Sequence, residues 1–251
     1  MKIVRRLFPS GFLTLVLVGS AATNAQSASF SISQNGKPVG TASFNIIPAN
    51  NGYDSSSIVH VSMQGLEYQL SKTEQLSSSN ELLHVQLSAI VNNSAVNLTA
   101  KPDASRFLIN ISANGRGNTT RLDAHHSAVF LPDFDPGALQ TLLTLAAQNN
   151  NRDLWAVIPK QTGSIEPVQL ATYADQQGTL DGKPIIVHHL IATISGAATD
   201  LFSGPENQLL QAELPQQGFA LVRDGFILTP PSRPIAAPDK PAANPTTPPA
   251  Q

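Results

Sequence analysis

Asn-Gly and Asp-Gly pairs punctuate this chain at Asn35-Gly36, Asn51-Gly52, Asn114-Gly115, Asp181-Gly182 and Asp224-Gly225. Each puts a residue that tolerates positive φ before glycine, which is the chemistry of the tight turn between antiparallel strands. Between the turns, apolar residues recur at every second position. Leu66, Tyr68 and Leu70 share one face of "LEYQL"; Leu83, Val85, Leu87 and Ala89 share one face of "LLHVQLSAI"; Phe107, Ile109 and Ile111 do so in "RFLINIS". A period of two with polar residues between means strands with one face on a core and one in water. Short strands following one another through such turns read as an antiparallel meander.

One segment has a different period. In "FDPGALQTLLTLAAQNN", Asp135 suits an N-cap and Pro136 suits the first helical position, where its missing N–H costs nothing. Leu139, Leu142, Leu143 and Ala146 follow at helical spacing, and Asn149 to Asn151 stop the run. The expected architecture is mainly β: a strongly curved antiparallel sheet, or half-barrel, packed on one amphipathic helix. The leucine stripe needs an apolar partner, and the concave face of the sheet supplies it. Trp155, in "DLWAVIP", is expected beside the helix.

The ends of the chain differ in kind from its middle. Lys2, Arg5 and Arg6 precede the short apolar run "GFLTLVLVGSAA", and Thr23 and Ala25 supply small residues before Gln26. This is the layout of a secretory signal peptide over 1–25, cleaved after Ala25. The run is shorter than the ~20 residues of a membrane span. Residues 29–229 then form one β-rich domain. Residues 230–251, rich in Pro, Ala and Thr, read as a disordered tail. The expected location is the periplasm or the exterior of a bacterial cell, with no transmembrane span in the mature chain.

Charge and motifs narrow the function. The chain has no cysteine, so disulfides and a lipid-modified N-terminal cysteine are excluded. The formal net charge of -2, without clustered Lys and Arg beyond the N-terminus, argues against nucleic acid. No nucleophile elbow or phosphate-cradling glycine loop is present, so neither a catalytic residue nor a cofactor is assigned. The adjacent histidines of "DGKPIIVHHLIATISG" lie in a strand apolar on both faces. His188 and His189 point to opposite sides, so they cannot share one metal ion, and a core role is favoured for the pair. Asp123, His125, His126, Asp133 and Asp135 gather acid and imidazole in "RLDAHHSAVFLPDFDPG"; a solvated loop before the helix is favoured over a metal site.

The second half has a rhythm of its own, "GTLDGKPIIVHHLIATISG" followed by "TDLFSGPENQLLQAELPQQGFALVRDGFIL", and the first half opens on "FSISQNGKPVGTASFNI". These stretches resemble uncharacterised bacterial envelope β-proteins of the domain-of-unknown-function type, which are distantly similar to the periplasmic lipoprotein-carrier fold. The resemblance implies a curved sheet around helix and a hydrophobic cavity; it transfers no functional residue. The leading expectation is a non-enzymatic envelope protein that binds an apolar ligand, such as a lipid or acyl chain. Leu139, Leu142, Leu143, Trp155 and His189 are its candidate ligand-facing residues. The alternatives are a protein-interaction module using sheet edges and the Pro-rich tail, and, last, a metal-assisted hydrolase built on His125, His126 and Asp123 or Asp133.

Overall fold

A computed structural model describes residues 25–160 and 162–230. The signal peptide expected over 1–25, apart from Ala25, and the tail expected over 230–251, apart from Pro230, lie outside the described residues. The first half is a continuous antiparallel meander: β1 (Gln26–Gln34), β2 (Lys37–Ala49), β3 (Gly52–Met63), β4 (Leu66–Ser77), β5 (Leu82–Val91), β6 (Ser94–Asp103), β7 (Arg106–Ala113) and β8 (Arg116–Asp123). The expected turn chemistry is visible in the backbone. Both residues of Asn35-Gly36, Asn114-Gly115 and Asp181-Gly182 have positive φ, the requirement of a type I′ hairpin.

β9 (Ala128–Phe130), α1 (Pro136–Gln148) and β10 (Leu154–Ile158) follow as a β-α-β unit. Then come β11 (Ser164–Thr172), β12 (Gln176–Leu180), β13 (Lys183–Ile194), β14 (Ala197–Ser203), a 3-10 turn at Pro205–Asn207, β15 (Leu209–Leu214), β16 (Phe219–Arg223) and β17 (Phe226–Leu228). β16 pairs with β1, which joins both halves into one 17-stranded sheet. The sheet is not closed: among the described residues β8 pairs only with β7, and β9 only with β10.

Two expectations are corrected here. The sheet is mixed rather than wholly antiparallel, because the helical crossover returns the chain beside β9 in the same direction and β9 and β10 pair in parallel. Leu83 does not share the buried face with Val85, Leu87 and Ala89. The register of β4 and β5 shifts between Gln75 and Leu76, so Leu82 turns inward and Leu83 is 46% exposed.

Inward side chains of both halves form one large core around α1, including Phe30, Ile32, Phe44, Val59, Leu87, Ile109, Leu201 and Leu221. A second, smaller core of Val187, Phe202, Leu210 and Phe226 joins β12, β17 and the first half of β13 to the opposite face of β14–β16.

The helix begins as expected. The Asp135 carboxylate accepts hydrogen bonds from the amides of Gly137 (2.9 Å) and Ala138 (3.2 Å), and Pro136 stands in the first turn. Asn149 caps its far end, with Asn150 and Asn151 at positive φ beyond. Its burial is not one-sided, however: Gln140 and Thr141 are buried along with the apolar stripe. Gln140 is accommodated because its side-chain oxygen accepts from the Leu209 amide at 2.8 Å while its nitrogen donates to the Asn207 carbonyl at 3.1 Å.

The first turn of α1 lies almost on the backbone of β2 and β3. A Cβ at Gly137 would come 2.4 Å from Ser57 Oγ and 3.1 Å from Phe44 Cβ. Gly137→Ala should therefore cost about 1–3 kcal/mol by overpacking, despite alanine's better helix propensity. Urea unfolding at pH 7 checks this; a stabilised variant would show that the helix has room to shift.

Candidate functional site

The inward face of β4, β5 and β6 forms a regular lattice. Across the ladder Tyr68 faces Val91, Leu70 faces Ala89 and Ala89 faces Val96, while Lys72 faces Leu87 and Leu87 faces Leu98. Next to these apolar rows is a cavity of about 160 Å³, lined by Tyr68, Leu70, Leu87, Ala89, Val96 and Leu98. Its volume is similar to the ~150 Å³ apolar cavities that stay dry and accept benzene.

Two proline-bearing loops complete the lining. Pro132 and Asp133 come from the connection between β9 and α1, and Pro159 and Lys160 follow β10. Lys160 Nζ is 2.9 Å from Asp133 Oδ1, and both side chains are about half exposed. Tyr68 donates its hydroxyl proton to the Asp133 carbonyl at 3.3 Å. Burial, and then the charges of Asp133 and Asp135, hold the Tyr68 phenol far above its ordinary pKa, so it remains a donor at any physiological pH.

Between Asp133 and Asp135, Phe134 has φ +59°. That is the left-handed region, unusual for a bulky side chain and costly by roughly 1–3 kcal/mol. The cause is local. Asp135 precedes a proline and caps a helix, and both roles hold it extended, at φ -87° and ψ 104°. The reversal of direction then falls on Phe134, whose ring is held edge-on between Tyr68 (6.0 Å) and Phe219 (4.7 Å).

One row deeper, the apolar face is interrupted by charge. Lys72 Nζ is 2.9 Å from Glu74 Oε1 and 2.5 Å from Asp135 Oδ2, and all three side chains are excluded from solvent. Ser57 faces Lys72 and Ser55 faces Glu74 across β3 and β4. One ammonium thus serves two carboxylates. Burial alone would push Lys72 down, but the attraction of Asp135 and Glu74 outweighs it and the net shift is upward. Burial raises Glu74; Lys72 opposes that effect, and repulsion from Asp135 adds to it. With its ammonium held between two carboxylates and its pKa shifted upward, Lys72 is poorly poised to take a proton from Ser57.

The ligand-facing residues expected from the sequence lie elsewhere. Leu139, Leu142 and Leu143 are buried in the main core; none of them lines the cavity. Trp155 is half-buried, with its ring stacked on His125 at 3.6 Å. His189 lies beside the smaller core. It stacks on Phe202 at 4.6 Å, with Nε2 2.7 Å from Asp200 Oδ1. His188 emerges exposed on the other face, 2.9 Å from Asp175, so the core role expected for the pair does not hold for His188.

The acid and imidazole set before the helix disperses. Asp123 pairs with Arg106, His126 with Glu81, Asp133 with Lys160 and Asp135 with Lys72. Among the described residues no three His, Asp or Glu side chains come together as a metal site would require.

Lys72 and Glu74 are not named from the sequence, where Tyr68, Leu70, Leu87 and Ala89 read only as core-facing strand positions. The period-two pattern contains a signal for the first two, since both continue the parity of Tyr68 and Leu70 onto the inward face. No helix among the described residues is long and apolar enough to cross a membrane. Comparison with known proteins finds no matching family model, no similar curated protein and no similar solved structure.

Proposed function

We propose that the protein is an exported, non-enzymatic envelope protein that binds an apolar chain, such as the acyl chain of a lipid. The observation that supports this reading is the cavity beneath the Asp133–Lys160 loops, walled by Leu70, Leu87, Ala89, Val96 and Leu98. In this reading the sheet acts as a strongly curved half-barrel whose inward face receives the end of the chain. The cavity's volume suits only a terminal segment of a long chain, so most of a bound lipid would lie outside it.

Ala89 tests the reading directly, because a larger side chain there enters the cavity rather than the packed core. Ala89→Phe should fold normally and lose at least about tenfold in affinity for a fluorescent polyene fatty acid, the direct consequence of removing an apolar pocket. Equal binding by the variant and the parent would place the ligand elsewhere. Native mass spectrometry of the mature chain, purified without detergent from a bacterial envelope, supplies the second readout: an added lipid mass supports the carrier, and a bare polypeptide mass counts against it.

A second reading, a module that docks an envelope protein, draws on Ile186 and Ile227, which are 60% and 68% exposed on strands flanking β12. Polar replacement of both should abolish cross-linking to such a partner without altering fatty-acid binding.

A further inference from the structure

The segment over the cavity is tied at both ends by hydrogen bonds and charge, and its middle is held by the burial of Pro132, the aromatic packing of Phe134 and one exposed ion pair. At one end the Leu131 amide donates to the Val157 carbonyl at 2.9 Å, tying the chain to β10. At the other, Asp135 is held in the buried contact with Lys72 and by the two amides of α1. Between them stand a solvent-accessible ion pair, a single 3.3 Å hydrogen bond from Tyr68, and a phenylalanine in a backbone conformation it disfavours. A surface ion pair is a weak restraint, and a strained residue favours any rearrangement that lets it relax.

We infer that residues 132–134 form the gate of the cavity, with the Asp133–Lys160 pair as its latch and Phe134 as the residue whose backbone relaxes when it opens. The inference rests on the cavity being the ligand site. Release of the latch frees Asp133 to swing away with Pro132, while Asp135 and the helix stay in place. Closure requires Phe134 to return to φ near +59°, where its ring again packs against Tyr68 and Phe219. The closed form is thus held by aromatic packing and one ion pair against local strain, a balance in which small changes alter the open population.

The gate and the site make different kinetic predictions. A latch that only blocks the path affects entry and exit alike. Stopped-flow mixing of the mature chain with cis-parinaric acid should show both association and dissociation faster in Lys160→Gln, by roughly two- to fivefold, the range set by losing one exposed ion pair. The equilibrium affinity should stay within about twofold, because the apolar walls at Leu70, Leu87, Ala89 and Leu98 are untouched and the exposed Lys160 stands only at the rim. The charge-swapped double variant, Asp133→Lys with Lys160→Asp, should restore slow exchange.

Faster dissociation with unchanged association would mean that Lys160 holds the ligand itself, and would overturn the gate. Unchanged rates in Lys160→Gln, with Ala89→Phe still abolishing binding, would overturn the gate and leave the cavity as the site. Failure of the unmodified chain to bind the probe would remove both.

Discussion

Lys72→Met should destabilise the protein by about 3–5 kcal/mol, the usual cost of removing one partner from a buried ionic cluster. Methionine matches the length of the lysine stem, so little cavity is created. The loss is electrostatic: Asp135 and Glu74 are left facing each other across a solvent-excluded space with no cation. Asp135 also caps α1, so its protonation to relieve that repulsion would weaken the charge-assisted cap as well. Urea denaturation followed by circular dichroism measures the effect. A charge-free combination, Lys72→Met with Glu74→Leu and Asp135→Asn, should recover most of the loss, because asparagine still caps and no buried charge remains. A single Lys72→Met variant as stable as the parent would show that water reaches the cluster.

The strands and the helix start were legible because their causes are local. Asn-Gly and Asp-Gly turns, alternation in β4 and β7, and the Asp135-Pro136 pair each act within a few residues. The parallel pair of β9 and β10 was not. β9 is three residues long and buried throughout, so it has no alternation to read, and its partner is fixed only by how the helical crossover packs. The one-sided helix failed for a related reason. Gln140 looks like part of a solvent face until the turn at Pro205–Asn207, far along the chain, covers it.

The cavity and the charge cluster were hidden in different ways. Each wall of the cavity is ordinary core-facing sequence; only the meeting of the loops at Pro132 and Pro159 leaves space between them. The parity of β4 places Lys72 and Glu74 inside, a warning that a counter-charge must exist. Naming Asp135 as that partner needs a contact across more than sixty positions, and a capping role already explained the residue. The histidine pair shows the opposite case. Strand alternation was enough to separate His188 from His189, and their partners Asp175 and Asp200 are supplied by neighbouring chain segments.

Glu74→Gln should make the protein more stable at neutral and alkaline pH and remove a pH dependence that the parent shows. Two carboxylates share one ammonium, so the cluster carries an excess negative charge whenever Glu74 ionises. Burial raises the Glu74 pKa above its ordinary 4.5, with repulsion from Asp135 adding to the effect and Lys72 only partly offsetting it. The folded state therefore binds this proton more tightly than the unfolded chain does. The stabilisation is complete below pH 4.5 and is lost as pH rises through the raised folded value, with a slope of up to about 1.4 kcal/mol per pH unit. Lys72 is shifted upward too, so its own loss falls above pH 10.5 and outside this window. Glutamine keeps the shape of the protonated acid, and its carbonyl oxygen can still accept from Lys72. Near pH 4 the two proteins should differ by less than about 1 kcal/mol, the net worth of an exchanged hydrogen bond. Above the raised folded value the variant should be ahead, with the gap opening between pH 4.5 and that value and holding level beyond it. Chemical denaturation at successive pH values from 4 to 9 decides the matter: a gap that stays constant across the range would mean that Glu74 is ionised throughout, with Lys72 satisfying both carboxylates.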